Sequence, residues 1–112
     1  MSPAPTASLV VLCTFPDEET AATVAREVVE ARLAACVNVL GAVRSIYQWK
    51  GEVCDEGEVL AILKTTRERF ELLRERVVAL HPYDCPEVIG LPIGPGHEPY
   101  LAWLGASCEV SA

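Results

Sequence analysis

Residues 36–66, CVNVLGAVRSIYQWKGEVCDEGEVLAILKTT, decide the architecture. Residues 36–50 carry Val37, Val39, Val43, Ile46, Tyr47 and Trp49, the β-branched and aromatic types that fit a pleated surface, and read as one long strand. Gly41 inside it predicts a bulge or bend. Gly51 and the Asp55-Glu56-Gly57 cluster supply turn residues, and residues 58–66 (EVLAILKTT) return as a second strand. The stretch is therefore an extended hairpin.

Upstream, residues 8–15 (SLVVLCTF) form a continuous apolar run of strand length, ended by Pro16. Asp17 is a good cap for a following helix, and Glu18 and Glu19 place negative charge at the positive end of its dipole. Val24, Val28, Ala31 and Ala35 give that helix an apolar face of small residues. Downstream of the hairpin, Thr66 caps a second helix with Phe70, Leu73, Val77 and Leu80 on one face, stopped by Pro82. Residues 87–93 (EVIGLPI) predict a fourth strand, placed at an edge by Pro92, and Pro99 suits the first turn of a short helix through Leu104. The order β-α-β-β-α-β is the ferredoxin-like split βαβ sandwich, an α+β fold whose antiparallel sheet has strand order 4-1-3-2 with both helices on one face. Residues 1–7 lack apolar periodicity and predict a flexible tail, so that residues 8–112 form a single domain.

The first and third strands are apolar at successive positions, so both of their faces call for burial, and two helices can cover only one of them. A second copy of the chain is the expected cover. The net charge of −7, from 9 basic and 16 acidic side chains, opposes binding to nucleic acid and to anionic lipid. No apolar run is long enough to cross a bilayer, and the N-terminus lacks the pattern of an export signal, which predicts a cytoplasmic protein. The five cysteines, Cys13, Cys36, Cys54, Cys85 and Cys108, are odd in number and contain no CxxC pair, so they do not form a disulfide framework and mostly fill the core.

Several strings, in order, resemble the CutA divalent-cation-tolerance family: VLCTFPDEETA at residues 11–21, LAACVN at 33–38, SIYQWKGEV at 45–53, EVLAILKTT at 58–66, HPYDCPEVIGLPI at 81–93 and YLAWL at 100–104. The resemblance spans residues 10–108 and implies a homotrimer of PII-like architecture, linked to copper and other divalent cations, with no settled biochemical activity. The chain departs from the family at Leu40-Gly41, where a proline commonly precedes the glycine.

In the split βαβ topology, Cys13 and residues 81–87 share one rim of the sheet. Thiolate and imidazole suit copper or zinc, which makes Cys13 and His81 the candidate ligands of a metal ion, with Cys85 a further one. The alternatives are a structural Cys13 and a His81 that merely ends the second helix. A second group, Tyr47, Trp49, Lys64, Tyr83, Glu87, Tyr100 and Trp103, would make an amphipathic ligand cleft where subunits meet, or else an interface ion pair with aromatic packing. Lys64 lies at the opposite end of the subunit from Cys13, so the cleft as drawn requires more than one copy.

The preferred function is a trimeric protein of divalent-cation tolerance that binds a metal ion or small ligand and does not catalyse a reaction. Copper or another divalent cation is the expected ion, and folding requires none. The competing readings are a small enzyme acting through Cys13 or Lys64 with a carboxylate such as Glu87, and an RNA-binding sheet. The absence of a Gly-rich phosphate loop, HExxH, GxSxG or paired-carboxylate motif opposes the first. The acidic charge and the lack of an RNP string on the third strand oppose the second.

Overall fold

The computed structural model describes residues 7–109. The tail expected over residues 1–7 lies outside them except for Ala7, whose carbonyl accepts the Arg67 N–H at 2.8 Å. Strand β1 (Ser8–Phe15) buries Leu9, Val11, Cys13 and Phe15 and leaves Val10, Leu12 and Thr14 half-buried on its other face. Strand β3 (Glu52–Thr66) repeats the alternation with Val59, Ala61, Leu63 and Thr65 inward. Helix α1 (Glu18–Glu30) lays Ala21, Val24 and Val28 on this inner face, and helix α2 (Arg67–Leu80) adds Leu73 and Val77 to the same core. With β2 (Cys36–Trp49) and β4 (Ile89–Pro92) the sheet is antiparallel in the order β2-β3-β1-β4, as the split βαβ fold type predicts.

Helix α1 stops at Glu30 instead of continuing through Ala31 and Ala35. Arg32 takes a left-handed φ of 60°, and the Ala35 N–H is drawn to the Lys64 carbonyl at 2.8 Å, which starts β2. Ala35 then packs beneath helix α3 (Glu98–Ser107) with Leu104 and Cys108. Both expected caps form: Asp17 accepts the Thr20 N–H at 2.7 Å and Thr66 the Arg69 N–H at 3.3 Å. Because Thr66 both ends β3 and opens α2, Thr66→Ala is expected to destabilise the fold by about 1 kcal/mol, with Thr66→Ser recovering most of it. Denaturant melts of the two variants at one protein concentration check this.

The turn of the hairpin uses Lys50 and Gly51 with φ of 50° and 81°, the two left-handed residues of a tight two-residue connection. The Asp55-Glu56-Gly57 cluster, read from sequence as turn chemistry, is instead regular strand, paired with Ile46, Ser45 and Arg44. Turn-forming types are held extended there by the cross-strand ladder, by the Arg44–Asp55 pair at 2.6 Å and by the Tyr47–Glu56 hydrogen bond. A register shift between Val39 and Ala42 marks the irregularity expected at Gly41. The fourth strand is shorter than the predicted residues 87–93, since Glu87 and Val88 belong to the loop before it. It crosses α2 closely: a Cβ on Gly90 would lie 3.1 Å from the Phe70 ring. The hairpin outruns the helices, giving the chain dimensions of 50 × 27 × 23 Å and leaving Ile46 and Val53 64% and 71% exposed.

Candidate functional site

The loop that follows α2 turns past the end of β1 and is fastened there by His81. This residue is buried, its ring stacked on Phe15 with centroids 4.7 Å apart and tilted against Tyr83 at 4.6 Å. Its Nε2 donates to the Thr14 carbonyl at 2.7 Å, and its Nδ1 accepts the Tyr83 N–H at 3.1 Å. A carbonyl can only accept and an amide N–H can only donate, so this pairing specifies the neutral imidazole protonated on Nε2. The imidazole is thus a bracket that joins the end of β1 to the loop.

Cys13 lies on the same rim, as the topology predicts, but its thiol points into the core, and burial first, then Glu87 and Glu58, push its pKa up to about 12. A metal-ligating or nucleophilic cysteine must be a thiolate, and this one is held protonated at neutral pH. Cys13 and His81 therefore share a neighbourhood without offering an ion a thiolate and a free imidazole lone pair. Among the described residues no three His, Cys, Asp or Glu side chains converge to hold a metal ion.

The loop fastened by His81 forms one wall of a cleft of about 630 Å³ on the outer face of the sheet. Thr14 of β1 and Glu58 of β3 lie at its base, Ser45, Ile46, Tyr47, Trp49 and Glu56 come from the hairpin, and Tyr83, Asp84, Cys85 and Glu87 from the loop. The Tyr83 hydroxyl donates to Glu58 at 2.9 Å and the Tyr47 hydroxyl to Glu56, so each aromatic is tethered by a carboxylate. Tyr47 has its pKa raised to about 12, first by the bond to Glu56 and then by desolvation. Tyr83 is raised further, by burial and then by Glu58. Both phenols stay neutral donors throughout the physiological range. Among the described residues the lining holds four carboxylates, Glu56, Glu58, Asp84 and Glu87, and no Lys, Arg or His.

Of the seven residues that the sequence grouped as a ligand pocket, Tyr47, Trp49, Tyr83 and Glu87 meet in this cleft within one chain, with Cys85 on the same wall. Lys64, Tyr100 and Trp103 do not. They sit where β3 ends and β2 begins: the Lys64 ammonium donates to Asn38 Oδ1 at 2.8 Å and lies 5.6 Å from the Tyr100 ring centre, and Tyr100 packs on Trp103. Cys36 Sγ is 3.5 Å from the Tyr100 hydroxyl. Sequence reasoning missed Glu56 and Glu58, the two acids that β3 contributes to the cleft. Their signal was present: they stand two residues apart, as same-face positions of a strand do, but treating Asp55-Glu56-Gly57 as a turn concealed it.

Comparison with known proteins adds a family to this geometry. Residues 9–107 match a family model described as CutA1 divalent ion tolerance protein. The divalent-cation tolerance protein CutA of Thermus thermophilus is 54% identical over 95 residues, which are 85% of this chain and 92% of that one. Protein CutA of Mus musculus is 47% identical over 91 residues, but the match spans only 51% of its length. Among solved structures, the divalent cation tolerance protein (Cut A1) from Thermus thermophilus superposes with a TM-score of 0.88 at 50% identity, covering 91% of this chain and 99% of that one. CutA1 from Oryza sativa gives a TM-score of 0.89 at 41% identity, over 96% and 100% of the two chains.

Proposed function

The chain belongs to the CutA1 divalent ion tolerance protein family, and from that premise we propose that it is a cytoplasmic homotrimer that serves divalent-cation tolerance by binding a ligand in the acidic, aromatic cleft, without catalysing a reaction. The cleft carries the reading: 630 Å³ is the size of a small-molecule site, and aromatic walls with a few placed polar groups are its usual lining. A binding role agrees with the state of the candidate nucleophiles, since the Cys13 thiol is buried and protonated and the Lys64 ammonium is tied to Asn38. Five unpaired thiols suit a reducing compartment. The trimer is supported by the apolar side chains that the hairpin and edge strand leave uncovered, Ile46, Val53, Ile89 and Leu91.

Copper enters this reading as the ion whose excess the protein answers. Within one chain the residues present do not fit a chelated copper ion: the His81 ring is committed at both nitrogens, and Cys85, the exposed thiol of the cleft, lacks a converging donor set among the described residues. Growth in copper tests the role of the cleft independently of what fills it. In host cells lacking their own member of the family, this chain should restore growth at elevated copper. The double variant Glu58→Gln, Glu87→Gln, expressed at equal level, should not. Full restoration by the double variant would remove the cleft from the function.

A further inference from the structure

Resting on the reading that this cleft is the working site, we propose that its ligand is a small aliphatic polyamine, a methylene chain carrying two or more ammonium groups. A chelated divalent ion needs several donors on one point, six to eight oxygens for calcium and a near-octahedral shell for magnesium. The carboxylates here do not converge, and Glu56 and Glu58 already accept the tyrosine hydroxyls. Spread along the cleft, they suit several separate positive charges better than one. Glu56 and Glu58 are two residues apart on one face of β3, about 7 Å along the strand, a separation comparable to that of two ammonium groups joined by a short methylene chain.

The walls fit the rest of such a molecule. Tyr47, Trp49 and Tyr83 offer ring faces on which methylenes can pack and over which an ammonium group is attracted by the ring quadrupole. The protein already makes one such contact, with the Lys50 ammonium 5.8 Å from the centre of the Trp49 ring. The field has the required sign, because Glu58 and Glu87 reach as far as the Cys13 thiol, whose ionisation they oppose. Among the described residues of one chain, no basic side chain of the lining competes for the carboxylates.

Calorimetric titration of the full-length wild-type protein with spermidine and putrescine tests the assignment, with magnesium and tetramethylammonium as comparison cations at the same ionic strength. Spermidine should bind at one site per chain, at least tenfold tighter than magnesium and tighter than putrescine. Glu58→Gln with Glu87→Gln should weaken spermidine at least tenfold. Trp49→Ala should weaken it severalfold while Trp49→Phe retains most of it, a split that bulk charge attraction does not produce. Near-ultraviolet circular dichroism of each variant confirms that the fold persists. Absence of spermidine binding up to millimolar concentration, magnesium binding equally well, or indifference to Trp49→Ala would each overturn the assignment. A flat spermidine titration combined with loss of copper tolerance in the double glutamine variant would reject the polyamine and leave the cleft as the functional site.

Discussion

Phe15→Ala is expected to destabilise the protein by about 3–5 kcal/mol, the range for deleting a buried aromatic ring. Phe15 is 1% exposed, at the end of β1 where the helices close over the sheet, and its ring forms the stacking surface for His81. Removing it leaves a cavity lined by side chains already fixed by the β1–β3 ladder, so little collapse is available to offset the loss. The effect should also reach the cleft. With its stacking partner gone, His81 loses one of the four contacts that orient it, and the Tyr83 N–H to Nδ1 bond loosens with it. Denaturant unfolding at fixed protein concentration should report the energetic loss, and amide exchange at Tyr83 the local one. A loss below about 1 kcal/mol would mean that the core refills the space, and unchanged exchange at Tyr83 would mean that the bracket stands without its stack.

The second large effect concerns assembly. Ile46 and Val53 are diagonal neighbours on one face of the hairpin, beyond the reach of α1 and α2, and 64% and 71% exposed in the single chain. If three copies bury these positions, Ile46→Asp with Val53→Asp forfeits about 1.5–3 kcal/mol per side chain in every subunit, before the cost of desolvating the new charges. Sedimentation equilibrium at micromolar concentration should therefore find the wild type trimeric and the double variant monomeric. The thermal midpoint of the wild type should rise with protein concentration, and that of the variant should be lower and insensitive to it. A monomeric wild type would end the trimer proposal. A trimeric double variant would move the interface away from the hairpin.

The bracket at His81 links these expectations. It connects a core residue, Phe15, to a cleft residue, Tyr83, through one ring whose two nitrogens face opposite demands. A second proton on the ring would place N–H against N–H at Tyr83 and break the bond, so the geometry requires the neutral form. Sequence reading placed His81 on the correct rim and gave it two possible tasks, metal ligand or helix terminator. The carbonyl of Thr14 and the amide of Tyr83 assign it a third, because both nitrogens are spent on the backbone.

The element order and both helix caps were legible in the sequence because each follows from local rules, and the element order in turn implied the strand order through the split βαβ fold type. Continuous apolar runs and β-branching mark residues 8–15 and 58–66 as strands, Asp17 and Thr66 supply cap oxygens, and Pro92 restricts its strand to an edge. The aromatic part of the cleft was legible too, since Tyr47, Trp49 and Tyr83 are costly to leave uncovered wherever they fall. Three features depended on contacts between residues distant in the chain. Pairing with Ser45 and Arg44 turned Glu56 and Gly57 from turn residues into strand. The pleat of β1 sent the Cys13 thiol inward, where burial removes its ligand chemistry. The Thr14 carbonyl and the Tyr83 N–H took up both ring nitrogens of His81, which ended its use as a ligand. Local pattern determines which element forms and which of its faces is apolar, whereas a side chain's ionisation and its partners depend on what the fold brings against it.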